Sequence, residues 1–133
     1  SLLSADAAPA TGALRYVDTA KTFIETEYMR NISIADLARQ LNLNRSYFSS
    51  LFRQHTGRSP QQFLTECRLR KAAELMSEHG YTPGEAALST GYPDIFSFSR
   101  MFKRHYGISP SEYVRQQVSI AEAKKDEGHG PIP

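Results

Sequence analysis

Apolar residues recur at helical spacing along this chain, and two stretches carry the same pattern. Phe48, Leu51, Phe52 and His55 share one face of a helix beginning after Asn44, and Phe98, Met101, Phe102 and His105 share one after Asp94. Segments 44–64 and 94–114 align at an offset of 50 residues. Phe48, Ser49, Phe52, His55, Gly57, Ser59 and Pro60 recur as Phe98, Ser99, Phe102, His105, Gly107, Ser109 and Pro110. Arg53 recurs as Lys103, and Phe63 as Tyr113. So many identities at one offset indicate a duplicated supersecondary unit.

A short helix precedes each copy, at an offset of 49. Ser33 and Thr82 open it as N-caps, with Asp36 and Glu85 three residues on, where a carboxylate meets the positive helix end. The pattern is that of a capping box, although Asp36 is shorter than the usual Glu or Gln. Asn42 and Gly91 suit the turn out of the helix, and Asn44 and Asp94 cap the next one. Gly57 and Gly107 stop it, and Ser59-Pro60 and Ser109-Pro110 start another as cap and first helical residue. Around these units, residues 14–29 place Leu14, Val17, Ala20, Phe23, Ile24 and Tyr28 on one side, the buried stripe of a covering helix. Residues 59–77 form a longer helix of about 28 Å at 1.5 Å per residue, with Phe63, Leu64, Leu69, Ala72, Ala73, Leu75 and Met76 as core candidates.

One unit is therefore helix, tight turn, helix, stop: a helix-turn-helix, whose second helix can enter a DNA major groove. A plain structural hairpin has the same outline. The outer faces favour DNA: Arg45, Ser46, Ser49, Ser50 and Arg53 on the first second-helix, Ser97, Ser99, Arg100, Lys103 and Arg104 on the other. Small hydroxyls permit close approach to base edges, and arginine bonds guanine through its planar fork.

The stretches A-D-L-A-R-Q-L-N-L-N-R-S-Y-F-S-S-L-F-R-Q-H-T-G-R-S-P, F-L-T-E-C-R-L-R-K-A-A-E-L-M and G-Y-P-D-I-F-S-F-S-R-M-F-K-R-H-Y-G-I-S-P-S-E-Y resemble the DNA-binding domain of the arabinose-operon regulator family (AraC/XylS type). The resemblance covers residues 14–117. It implies an all-α fold of about seven helices, two helix-turn-helix units joined by a long central helix. It further implies base contacts from Ser46, Ser49 and Ser50, with Arg45 near phosphates, and from Ile95, Phe96, Ser97, Ser99 and Arg100 in the second unit. Arg53, Lys103 and Arg104 complete the expected DNA-binding set. Pro83-Gly84 departs from the family pattern, so the helix there is expected to be short or to begin late. Ile95 and Phe96 stand where polar readers are common, and suit thymine methyls. Family members commonly carry a sugar- or small-molecule-sensing domain ahead of this one.

The 133 residues suit one domain rather than two separate cores. Net charge is only +2, but residues 43–117 hold ten Lys/Arg against six Asp/Glu, a difference of +4. That local excess suits phosphate neutralisation. One cysteine excludes an internal disulfide and suits a reducing cytoplasm. No stretch suggests a membrane span or a signal peptide. Residues 1–12 are expected to be a linker remnant from a longer chain, 13–118 the domain, and 119–133 a disordered tail. His55, His79 and His105 follow or end helices, where a cation suits the dipole, and Cys67 reads as a buried thiol, so neither metal, cofactor nor enzymatic activity is expected. The expected partner is double-stranded DNA, with RNA polymerase and an N-terminal effector-binding or dimerisation domain as further candidates. A helical module that contacts RNA polymerase or another protein, without reading DNA sequence, is the competing class.

Overall fold

Among the described residues, short polar side chains start six helices, and a residue of left-handed backbone follows five of them. The computed structural model describes the backbone of residues 2–129 and the side chains of 12–123. Seven helices and no strand occur among the described residues: α1 (Leu2–Glu27), α2 (Ile34–Gln40), α3 (Arg45–Thr56), α4 (Pro60–Glu78), α5 (Pro83–Ser89), α6 (Ile95–Tyr106) and α7 (Pro110–His129). The all-α, two-unit architecture is as expected.

The duplication holds down to single hydrogen bonds. In the first copy the Leu43 N–H returns to the Ala38 carbonyl at 2.9 Å; in the second Tyr92 returns to Ala87 at 3.0 Å. The turn between them uses Asn42 at φ 59° and Gly91 at φ 96°, a region that asparagine and glycine enter most easily. Gly57 (φ 79°) and Gly107 (φ 82°) close α3 and α6 with N–H bonds to the Arg53 and Lys103 carbonyls. Ser59 and Ser109 hydroxyls then accept from the Gln62 and Glu112 N–H groups to open α4 and α7.

Pro83-Gly84 neither shortens nor delays α5, which at seven residues matches α2. The reason is local. Pro83 is the first helical residue, where its missing N–H costs nothing, and Thr82 and Glu85 form a complete capping box. Ser33 accepts the Asp36 N–H in α2, yet the shorter Asp36 side chain does not reach back and pairs with Arg39 instead.

The chain forms two compact units, Ser1–Arg68 and Leu69–Pro133, each with its own buried cluster, so the expectation of a single core gives way. In the first, Val17, Ala20 and Ile24 of α1 meet Leu37 and Ala38 of α2, Phe48 and Phe52 of α3, and Leu64 and Cys67 of α4. In the second, Leu69, Ala72, Ala73 and Met76 meet Ala86, Ala87, Phe98 and Phe102. The helix α4 feeds both because its apolar positions continue through its whole length. Within each unit the repeat also sets the aromatic packing: Phe52–Phe63 centroids lie 5.3 Å apart and Phe102–Tyr113 centroids 5.4 Å apart, both edge-on.

Several core assignments shift by a residue. Leu14 is half exposed while Ala13 is buried, which moves the α1 stripe to Ala13, Val17, Ala20 and Ile24. Phe23, Tyr28, Phe63, Leu75 and Met101 are half-buried, and both His55 and His105 face solvent. These two histidines come a full turn after the phenylalanines, where the helix is already leaving its core. Where described, the expected linker and tail are helical, as the first turns of α1 and the last of α7; the backbone of residues 1 and 130–133 lies outside the described residues.

Phe52→Ala and Phe102→Ala should each cost about 3–5 kcal/mol, because each ring is fully buried and its removal leaves a cavity. Urea unfolding with a two-unit fit measures it. Acid should also weaken the caps of the second unit. The backbone N–H and then the hydroxyl of Thr82 hold Glu85 below its usual range, and the Ser97 N–H does so chiefly for Asp94. A depressed folded-state value means stability that is present at neutral pH and lost as pH falls through about 4 and below. The melting temperature should therefore drop on acidification, and a Glu85→Gln/Asp94→Asn variant, which keeps neutral caps, should drop less.

Candidate nucleic-acid interface

The direction of the second helix in each unit is fixed by its phenylalanines. With Phe48 and Phe52 at zero exposure, Arg45, Ser46, Ser50 and Arg53 of α3 stand in solvent and Ser49 is half-buried. With Phe98 and Phe102 likewise sealed, Ile95, Phe96, Arg100, Lys103 and Arg104 of α6 are exposed and Ser97 and Ser99 are half-buried. All twelve expected site residues thus reach the surface, five on α3 and seven on α6. Tyr47 was not among the expected contacts, yet it is half exposed in the first turn of α3. Its place directly before Phe48, off the buried face, was the available signal.

The caps shape what the first turns can do. Asn44 Oδ1 accepts the Ser46 and Tyr47 N–H groups at 2.8 and 3.3 Å, a neutral cap. Asp94 puts a carboxylate at the same place on α6: Oδ1 accepts the Ser97 N–H at 2.7 Å and Oδ2 accepts the Ser97 hydroxyl at 3.3 Å. The Ser97 proton is therefore engaged, leaving its oxygen free only to accept. Arg100 lies in the field of Asp94 and helps to hold that carboxyl ionised.

The positive charges separate into two groups. Arg58 pairs with Glu66, Lys71 with Glu74, and Arg115 with Glu112. Arg68 is structural: its Nε and Nη2 donate to the carbonyls of Tyr28 and Arg30 at 2.8 and 2.9 Å, closing the end of α1. Counted by sequence alone, these four swell the apparent basic surface. By contrast, Arg45, Arg53, Lys103 and Arg104 enter none of the ion pairs among the described residues. The charges left unneutralised thus include one or more on each second helix, beside hydroxyls, which is a chemistry suited to phosphate and base edges.

Among the described residues, Glu74, Glu78 and His79 are near enough to share an ion, with ligand atoms within 4.8 Å of one another. All three are exposed, at the end of α4 or just past it, as solvated charges commonly are. No helix among the described residues is long and apolar enough to cross a membrane.

A family model described as a helix-turn-helix domain matches residues 37–116, from α2 into α7. The chain belongs to the AraC-type helix-turn-helix family. The raffinose operon transcriptional regulatory protein RafR of Pediococcus pentosaceus is 40% identical to it over 101 residues, 76% of this chain and 36% of RafR. The lactose operon transcription activator of Staphylococcus xylosus is 35% identical over 104 residues, 78% of this chain and 37% of that protein. The C-terminal domain of AraT, a response regulator from Geobacillus stearothermophilus, shares the AraC-type fold with a TM-score of 0.73 at 31% identity, covering 76% of this chain and 84% of that one. The chain thus spans little more than a third of the length of these curated relatives.

Substitutions on the outer faces should leave an AraC-type domain folded. Arg45→Ala and Arg100→Ala are each expected to stay within about 0.5 kcal/mol of the parent, the usual range for surface changes, by thermal melting at neutral pH.

Proposed function

We propose that this chain is the DNA-binding part of a transcription regulator, residues 13–118, which recognises a promoter site by presenting α3 and α6 to major-groove segments. The observation that carries the reading is the repeated outer face: in each unit arginines in solvent and exposed or half-buried serines lie on the same helix as the sealed phenylalanines. Ser46, Ser49 and Ser50 are assigned to base edges, with Arg45 and Arg53 to phosphates. On α6, Phe96, Ser99 and Arg100 are assigned to bases, with Lys103 and Arg104 to phosphates. Ile95 and Ser97 line the same turn. Two readers in one chain suit a bipartite, non-palindromic site.

The relatives' names refer to raffinose and lactose operons. Their likeness lies in the matched third of their length, which on this reading handles DNA, so a sugar effector does not carry over with it. Effector sensing, dimerisation and contact with RNA polymerase are assigned to the whole regulator rather than to these twelve residues. The role is binding rather than catalysis, and it places the protein with the DNA in the bacterial cytoplasm.

Selection of bound fragments from a random DNA pool at near-physiological salt tests this, followed by titration of the recovered site. Two enriched blocks about one helical turn apart are expected. Arg45→Ala and Arg100→Ala should weaken cognate binding, by about 1–3 kcal/mol where the arginine holds a base. A phosphate contact should instead reduce the salt slope by about one. No enrichment, with indifference to both substitutions, would favour a protein-contact module and overturn the reading.

A further inference from the structure

Phe96 is 79% exposed, the most exposed large apolar side chain among the described residues. It is not overflow from a crowded core. The second unit already seals Phe98 and Phe102, with Tyr92 and Tyr113 packed against that cluster. Nor does its neighbour share its situation. Ile95 leans over α5, its Cδ1 3.9 Å from where a side chain on Gly84 would begin, and is half as exposed at 39%. The first unit carries Ser46 at the position equivalent to Phe96, so the duplicated scaffold does not require an aromatic there.

We propose that Phe96 reads thymine, its ring lying against the 5-methyl group of one thymine in the half-site bound by α6. This rests on the reading of the chain as a DNA-binding domain. Three features choose the occupant. Phe96 lies in the first turn of the second helix of a helix-turn-helix, the part that approaches base edges. Arg100, four residues on, and Lys103, seven on, share its side of α6, so the apolar ring sits in a cationic stripe that fits a polyanion. The thymine methyl is the apolar group that base edges display in the major groove. Asp94, whose carboxylate accepts the Ser97 N–H at 2.7 Å beside this turn, disfavours a phosphate there.

The test replaces each thymine of the selected site in turn with deoxyuracil, which removes only the methyl group. The full 133-residue chain is titrated against each duplex. One position should weaken binding about four-fold, the worth of one buried methyl-sized group. Phe96→Ser should make thymine and uracil equivalent at that position, whereas Phe96→Leu should retain part of the preference. Uniform tolerance of uracil by the parent chain overturns the proposal while leaving DNA reading intact. So does uracil sensitivity that survives in Phe96→Ser, or a Phe96→Ser variant whose DNA affinity is unchanged. Failure to select any site removes the proposal together with the reading beneath it.

Discussion

Two phenylalanines one turn apart must be hidden in each unit, and most of the molecule follows from that. A unit of about 65 residues buries a modest share of its surface, so large rings dominate what hydrophobic stabilisation it has. Phe48 and Phe52, or Phe98 and Phe102, satisfy this by turning one face of a 12-residue helix wholly inward. A helix so anchored cannot rotate, and its opposite face is then committed to solvent. Orientation of the candidate readers is thus a consequence of core packing rather than of any interaction the readers make themselves.

These two helices end alike but start differently, and the difference changes the surface that each presents. Glycine in the left-handed region closes both, a backbone solution that leaves no charge behind. At the start, the first unit uses a neutral amide and the second a carboxylate. Capping strength is similar for the two residue types, so the fold is indifferent to the choice. The electrostatic field at the exposed first turn is not: one unit offers Arg45 beside a neutral cap, the other offers Phe96 beside an anion. The repeated scaffold therefore presents two chemically distinct tips.

Much of this was legible in the sequence because it is local. Ser33, Thr82, Asn44 and Asp94 cap helices through bonds spanning two or three residues, and such spacing is written directly along the chain. The inward phenylalanines were legible for the same reason. What escaped depends on distant partners. Arg68 counts as a basic residue until its bonds to carbonyls 38 and 40 residues away show that it is a clasp. Leu14 and Ala13 differ by one residue on a helix whose phase is set by what it packs against. Two cores instead of one likewise reflects how the long α4 is shared, which apolar periodicity alone does not partition.

The division between scaffold and tip also explains how a duplicated unit can acquire separate tasks. Most residues that the two copies share, the phenylalanines, glycines and Ser-Pro pairs, have buried, dihedral or capping roles, where substitution carries an energetic penalty, while Ser49/Ser99 and His55/His105 are shared nearer the surface. Positions where they differ, Arg45 against Ile95 and Ser46 against Phe96, are surface positions at which exchange costs little stability. Two copies constrained by the same core can therefore diverge in what they touch without diverging in how they fold. On the proposed reading, recognition by such a pair would gain information from their difference: identical tips would read the same block twice, whereas a hydroxyl-rich tip and an aromatic one would distinguish the two ends of a site and so fix the orientation of binding.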